Sequence, residues 1–212
     1  MDAIQRPIQY QEGPGAGGLP LAAGAGLEPV QIRTQRTPNP NALKFVLDRD
    51  VKREGKISYS EIPDCEHVPL AAALLRLANV SQVHFFENVI TVTQNGASDW
   101  TILEAAVKAL IARDIDAHDP VFAESVARAK PLDRGPLSPD LDMIEEILDR
   151  TIRPGLQADG GDLEILELEG NILTIRYQGA CGGCPSSMMG TLQAIEGILR
   201  TEYNPYLEVV AI

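Results

Sequence analysis

The sequence predicts an α+β protein: two small α+β domains joined by a linker, preceded by a disordered Gly/Pro-rich N-terminal tail. Three observations carry this expectation. Runs that alternate like half-buried strands are interleaved with runs of helical spacing, in two separate blocks. Glycine and proline collect before residue 30 and again around residues 117–137. The 44% hydrophobic content of the 212 residues is enough for small cores, while no apolar run approaches the ~20 residues of a membrane helix.

Residues 1–29 contain Gly13-Pro14-Gly15-Ala16-Gly17-Gly18 and Gly24-Ala25-Gly26, offer little periodic apolar surface, and are expected to form the tail. The first domain is expected over 30–116, in the order β-β-α-β-β-α. Val30 and Ile32, then Leu43, Phe45 and Leu47, alternate as strand residues do around the turn Thr37-Pro38-Asn39-Pro40-Asn41. Leu70, Leu74 and Leu77 fall on one face of a short helix over 70–78. Residues 83–86 and 89–93 read as a hairpin turning at Glu87-Asn88. Ile102, Leu103, Ala106, Leu110 and Ile111 mark an amphipathic helix over 99–113. Residues 117–137 form the linker, with a short helix near 121–129.

The second domain is expected over 138–212, in the order α-β-β-α-β. Ser138 is placed as an N-cap and Pro139 at the first helical position; Asp140 and Asp142 suit the positive helix end. Leu141, Ile144, Leu148 and Ile152 form the buried stripe, and Pro154-Gly155 ends the helix. Asp159-Gly160-Gly161-Asp162 reads as a turn. Residues 163–168 and 172–177 read as paired strands around Gly170-Asn171, followed by a helix over 186–203 and a final strand over 207–212.

The net charge of −12 argues against a nucleic-acid binder, which would need a basic face. The second domain, with at least nine more acidic than basic residues, carries most of it. The three cysteines, Cys65, Cys181 and Cys184, are too few and odd in number for a secreted disulfide framework. The first eleven residues show neither a secretory pattern nor an Arg-rich transit character, so the expected location is cytoplasmic.

The chemistry centres on Gly179-Ala180-Cys181-Gly182-Gly183-Cys184-Pro185-Ser186-Ser187. Two thiols stand two residues apart between a predicted strand and a predicted helix, where Met188, Leu192, Ile195 and Leu199 recur at helical spacing. The unpaired N–H groups of a helix N-terminus favour a thiolate. A free cysteine titrates near ~8.5 and is only roughly 3% ionised at pH 7; such a position brings the pKa to about 7 or below. Thiolates bind soft metals. Tetrahedral metal and iron–sulfur sites take four protein ligands, yet the second domain has two cysteines and no histidine. A second copy of the loop about a two-fold axis is the simplest source of the other two. Two other readings use the same pair. A thiol–disulfide oxidoreductase would use it as nucleophile, although the α-β-β order, the absence of an aromatic before Cys181 and the proline after Cys184 count against that. A zinc-stabilised interaction module is the other.

Leu156-Gln157-Ala158-Asp159-Gly160-Gly161-Asp162, followed by the thiol loop, resembles the C-terminal NifU domain over residues 138–212. Arg36-Thr37-Pro38-Asn39-Pro40-Asn41-Ala42-Leu43-Lys44-Phe45 and residues 83–93 are similar to the N-terminal domain of Nfu proteins. The resemblance implies an iron–sulfur cluster scaffold or carrier and not an enzyme. Cys181 and Cys184 would ligate a 4Fe-4S cluster, or a 2Fe-2S form, shared between two subunits of a homodimer. The cluster would arrive from upstream donors and pass to apo iron–sulfur proteins. The first domain would recognise partners or regulate. Cys65-Glu66-His67-Val68-Pro69-Leu70-Ala71 departs from the family's plainer Ser-Pro-Leu-Ala.

The remaining candidates have simpler expected roles. Cys65 is expected as a loop or core thiol, with Cys65-x-His67 a conceivable metal pair. His84 is expected on the solvent face of its strand, His118 solvated or paired with a helix end, and Met188 and Met189 in the core. Asp159 and Asp162 are expected to cap a turn, and the acidic run over 164–169 to be a solvated strand face.

Overall fold

A computed structural model describes residues 28–122, 139–183 and 185–212, and for residues 183 and 185–189 the backbone alone. The expected tail and most of the expected linker, with its short helix and the Ser138 cap, lie outside these residues. The first domain runs β1 (Ile32–Arg36), β2 (Ala42–Leu47), β3 (Lys52–Tyr59), α1 (Pro69–Leu75), β4 (Val80–Glu87), β5 (Val89–Gln94) and α2 (Trp100–Asp114). Its five strands form one antiparallel sheet in the order β1-β2-β5-β4-β3. Phe45, Ile57, Tyr59, Val83, Phe85, Ile90 and Val92 point from one face into a core with Leu70 and Leu74 of α1 and Leu103, Val107 and Ile111 of α2.

Local chemistry explains most boundaries. The β1–β2 turn is held by Asn39, whose side chain accepts from the Asn41 N–H at 2.9 Å, and by the indole of Trp100 donating to the Pro40 carbonyl at 2.8 Å. Asp99 caps α2 by accepting from the Thr101 N–H at 2.7 Å. Pro69 sits at the start of α1, as its missing N–H permits. The helix stops three residues short of the expected end. Strand β3 was not expected. It opens on the charged run Lys52-Arg53-Glu54, and its pairing with β4 slips between Lys52 and Lys56, with Gly55 at φ +70°. A bulge of this kind breaks the period-2 pattern by which strands are read.

The second domain runs α3 (Pro139–Thr151), α4 (Arg153–Ala158), β6 (Gly161–Glu169), β7 (Ile172–Gly179), α5 (Pro185–Glu202) and β8 (Glu208–Ala211). β6 and β7 pair antiparallel, and β8 joins β7 in parallel after the α5 crossover. Ile144, Ile147 and Leu148 of α3 and Ile195 and Leu199 of α5 pack on Leu163, Ile165, Leu173 and Ile175. Helix α4 corrects an expectation: Pro154-Gly155 does not end the helical region. Pro154 falls in the first turn of a new helix, where proline is accepted. The acidic run does alternate outward, with Glu167 and Glu169 exposed.

The outer face of the first sheet is polar. Lys44, Thr91, His84 and Ser58 stand opposite one another across β2, β5, β4 and β3. His84 points away from the core, as its alternation requires, but it is buried, and Ser58 Oγ lies 2.7 Å from its Nδ1. The expectation that it faces solvent fails because the second domain covers this face. Nor is His118 solvated: its Nε2 lies 2.7 Å from the Val51 carbonyl and its ring stacks on Phe85.

Burial pushes the His118 pKa below its ordinary value, against the opposing effect of the Val51 bond. The unfolded chain then protonates first as pH falls. The stability held above the unfolded pKa, about 6.5, is lost progressively below it. Denaturant titrations at pH 7.5 and 5.5 should show a drop in midpoint that shrinks in His118→Gln. An equal drop in both proteins would contradict this.

Candidate metal centre

Strand β7 ends at Gly179, which has φ +61°. A 3-10 turn over Ala180–Gly183 follows, and α5 begins at Pro185. Cys181 lies on this turn and is 8% exposed, packed with Tyr177 and the second domain's core. Because β6 and β7 are antiparallel neighbours, Gly161 stands directly opposite Gly179. This pairing brings the two sequence motifs together. The Ala180 N–H donates to the Gly160 carbonyl at 3.1 Å.

The contact depends on missing side chains. A Cβ on Gly161 would collide with the Cys181 sulfur and stand 2.8 Å from the Gln178 carbonyl oxygen and 2.9 Å from the Cys181 nitrogen. One on Gly179 would stand 2.5 Å from the Gly160 carbonyl oxygen. Gly160, at φ +81°, also needs glycine for its backbone. The thiol is thus seated in a cradle of backbone.

Next to the cradle, Asp162 is fully buried and anchors an ion network. It pairs with Lys56 of β3 at 2.6 Å, lies 3.5 Å from Arg153 Nε, and accepts from Gln157 at 3.0 Å and the Leu163 N–H at 2.7 Å. Arg153 also pairs with Glu145 and Asp149. Burial works against its charge, but these two carboxylates outweigh it and hold its pKa above the usual guanidinium value. The expected turn-capping role of Asp162 is therefore replaced by charge anchoring, whereas Asp159 does sit at the C-cap of α4. Lys56 and Arg153 were missed by sequence reasoning. Lys56 lies on the unexpected strand, and Arg153 precedes a proline that reads as a stop.

First-domain side chains hold the turn from the other side. Asn39 Nδ2 donates to the Ala180 carbonyl at 2.8 Å, Lys44 Nζ donates to the Ala158 carbonyl at 2.6 Å, and Thr93 Oγ1 donates to the Gly179 carbonyl at 3.5 Å. The Tyr177 hydroxyl is buried without a hydrogen-bond partner among the described residues. Its pKa is pushed up to about 12, first by burial and then by the neighbouring Cys181.

Cys184 lies outside the described residues, as do the side chains of Met188 and Met189. Cys65 is far from this site in the first domain's core, its sulfur 3.4 Å from the Ile62 carbonyl and 3.6 Å from that of Glu61. No group of three or more His, Cys, Asp or Glu able to hold a metal occurs among the described residues, and His67 Nε2 lies 3.3 Å from the Tyr59 hydroxyl. No described helix is long and apolar enough to cross a membrane.

Gly161→Ala should destabilise the protein by about 1–3 kcal/mol, since backbone atoms must move to admit the methyl group. Gly155→Ala, where a Cβ meets nothing within 4 Å on helix α4, should be neutral or stabilising by up to ~1 kcal/mol. Urea midpoints for the two variants check this; the reverse order would refute the cradle.

Comparison with known proteins covers both domains. Residues 32–118 match the family described as "Scaffold protein Nfu/NifU N terminal", and residues 144–210 match the NifU-like domain. "NifU-like protein 4, mitochondrial" of Arabidopsis thaliana is 34% identical over 79% of this chain and 61% of its own length. "NFU1 iron-sulfur cluster scaffold homolog, mitochondrial" of Drosophila persimilis is 31% identical over 98% of this chain and 72% of its own. The Homo sapiens protein of the same name is 33% identical over 98% of this chain and 78% of its own. The chain thus spans between about three fifths and four fifths of these relatives' lengths. Their names overturn the cytoplasmic expectation and point to the mitochondrion. A low cysteine count argues against an oxidising compartment but does not tell one reducing compartment from another. With both of its domains matched in order, the chain belongs to the Nfu-type family of NifU-like proteins.

Proposed function

We propose that this protein is a mitochondrial iron–sulfur cluster scaffold or carrier, and not an enzyme. It receives a four-iron four-sulfur cluster from upstream donors, holds it between Cys181 and Cys184 of two copies, and releases it to apo iron–sulfur proteins. The observation that carries this reading is the seating of Cys181. Its thiol stands on a glycine-cradled turn at a strand end, within a domain whose relatives include named cluster scaffolds. We assign the cluster to the domain over 138–212 and partner recognition or regulation to the domain over 30–116.

Each chain offers two thiolates where a cubane cluster takes four. The second domain has no histidine to complete the set. A two-fold pair of loops completes it, and the cluster then joins the two copies. Transfer proceeds by ligand exchange. A thiolate of the client replaces one scaffold thiolate on an iron, and the displaced thiolate takes up a proton from water. Each exchange swaps one anion for another, so the charge and oxidation state of the cluster do not change. The cargo at the interface is open to such attack once the two copies part.

Anaerobic reconstitution with iron and sulfide should give about four irons and four sulfides per dimer, with the absorption and Mössbauer spectra of a cubane. Cys181→Ala and Cys184→Ala should each abolish loading and leave the apo fold intact, and Cys65→Ala should load as wild type. A colourless protein that binds zinc, or that cycles a disulfide with thioredoxin, would refute the carrier reading.

A further inference from the structure

An antiparallel sheet with one face on a core normally leaves the other in water. Here the polar row on the outer face is sealed: Ser58 and His84 are each 2% exposed and Thr91 is 1% exposed. What seals it is the glycine-rich end of the second domain. A Cβ on Gly160 would stand 2.5 Å from the Lys44 side chain and 3.0 Å from Thr91 Oγ1; one on Gly179 would stand 3.2 Å from the His84 ring; one on Gly182 would stand 3.3 Å from Gln82 Oε1. The glycines that seat the thiol therefore also let the turn lie flat on the sheet. Asn39 holds residue 180 and Gln82 faces residue 182, so first-domain side chains flank Cys181 on both sides.

The seam is built for release rather than permanence. Its bonds are polar, from Asn39, Lys44, Lys56 and Thr93. Gln82 Oε1, Thr91 Oγ1 and Gln178 Oε1 are buried in it without hydrogen-bond partners among the described residues, and would regain partners in water on separation. A cleft of about 470 Å³, lined by Ser58, Ser60 and Gln82 on one side and Arg176, Tyr177 and Gln178 on the other, runs along it. Burial holds the Lys56 pKa below its usual value even with Asp162 in contact, so the ion pair does not fully offset the desolvation of its cation.

Metal–thiolate bonds are of the order of 2.3 Å long. A second copy's loop must therefore come within a few ångströms of Cys181 and reach the turn whose residues 179, 180 and 182 now lie against Thr93, Asn39 and Gln82. From this geometry we infer that the polar face of the first domain's sheet and a second copy of the chain compete for one thiol loop. The sheet caps the loop in the apo protein, and the cluster-bridged pair forms from the uncapped state. This rests on the proposal that the cluster is shared between two copies. Capping lowers the apparent affinity for cargo by the fraction of chains that are open.

The test is Lys44→Glu with Lys56→Glu, which removes two donors from the seam and sets like charge against Asp162. Both positions lie on the outer face, away from the first domain's core. In the apo protein, alkylation of Cys181 by a maleimide, followed by peptide mass mapping, should speed up on the order of tenfold. Cys65, sealed in the first domain's core, should stay slow in both proteins and so report that domain intact, while an unchanged urea midpoint should report the second domain intact. The variant should also load cluster at lower iron and sulfide than wild type. Unchanged alkylation of Cys181 would overturn the cap, and faster alkylation with unchanged loading would overturn the competition. A wild-type protein that loads no cluster sinks the shared site and the competition with it, while the alkylation ratio still decides whether the sheet caps the loop.

Discussion

The close approach of the turn after β7 to the backbone of Gly160 and Gly161 is the constraint on which the rest of the site depends. It fixes the register of β6 against β7, because Gly161 must face Gly179 for the turn to fold back over it. A shift of one residue would also turn the core side chains of both strands outward. Leu163, Ile165, Leu173 and Ile175 are buried only in the register that seats the thiol. The hydrophobic core and the thiol turn therefore enforce each other. The apolar pattern selects the register, and the register delivers the cysteine to the end of the sheet.

The charge network beside the cradle solves a different problem. A fully buried carboxylate is costly unless paired and hydrogen-bonded. Asp162 meets this through Arg153, Lys56, Gln157 and the Leu163 N–H. Three of the four come from its own domain, so Asp162 keeps partners when the domains part. Lys56 is then the component that separation costs, and it returns to water, where its charge is well solvated. An anchor of this design holds α4 against β6 in either state and makes only a modest claim on the other domain.

Much of this was legible in the sequence, for identifiable reasons. Both domains obey strong periodicities, and the hairpin at Glu87 and the thiol turn before Pro185 carry direct chemical signals. What escaped was non-local or broken in period. Strand β3 hides behind its bulge at Gly55, and α4 behind a Pro-Gly pair that usually ends helices. The alternation placed His84 on the right face but could not tell that another domain covers it. Asp162 illustrates the same limit: a turn motif read locally becomes a buried charge once Lys56 arrives from over a hundred residues earlier. Location was misread because cysteine usage reports redox conditions alone.

The proposed carrier role requires the protein to bind its cargo and then lose it, and its two kinds of surface suit the two tasks. Inside each domain the contacts are apolar and closely packed, as a stable fold requires. Between the domains they are hydrogen bonds and one partly exposed ion pair, with polar atoms left unsatisfied and an open cleft alongside. Such bonds have nearly equal alternatives in water, so breaking them changes the free energy little. Had the outer face of the first sheet been apolar, covering it would have locked the thiol turn away. Its polarity lets the same face shield the site in one state and stand in water in the other.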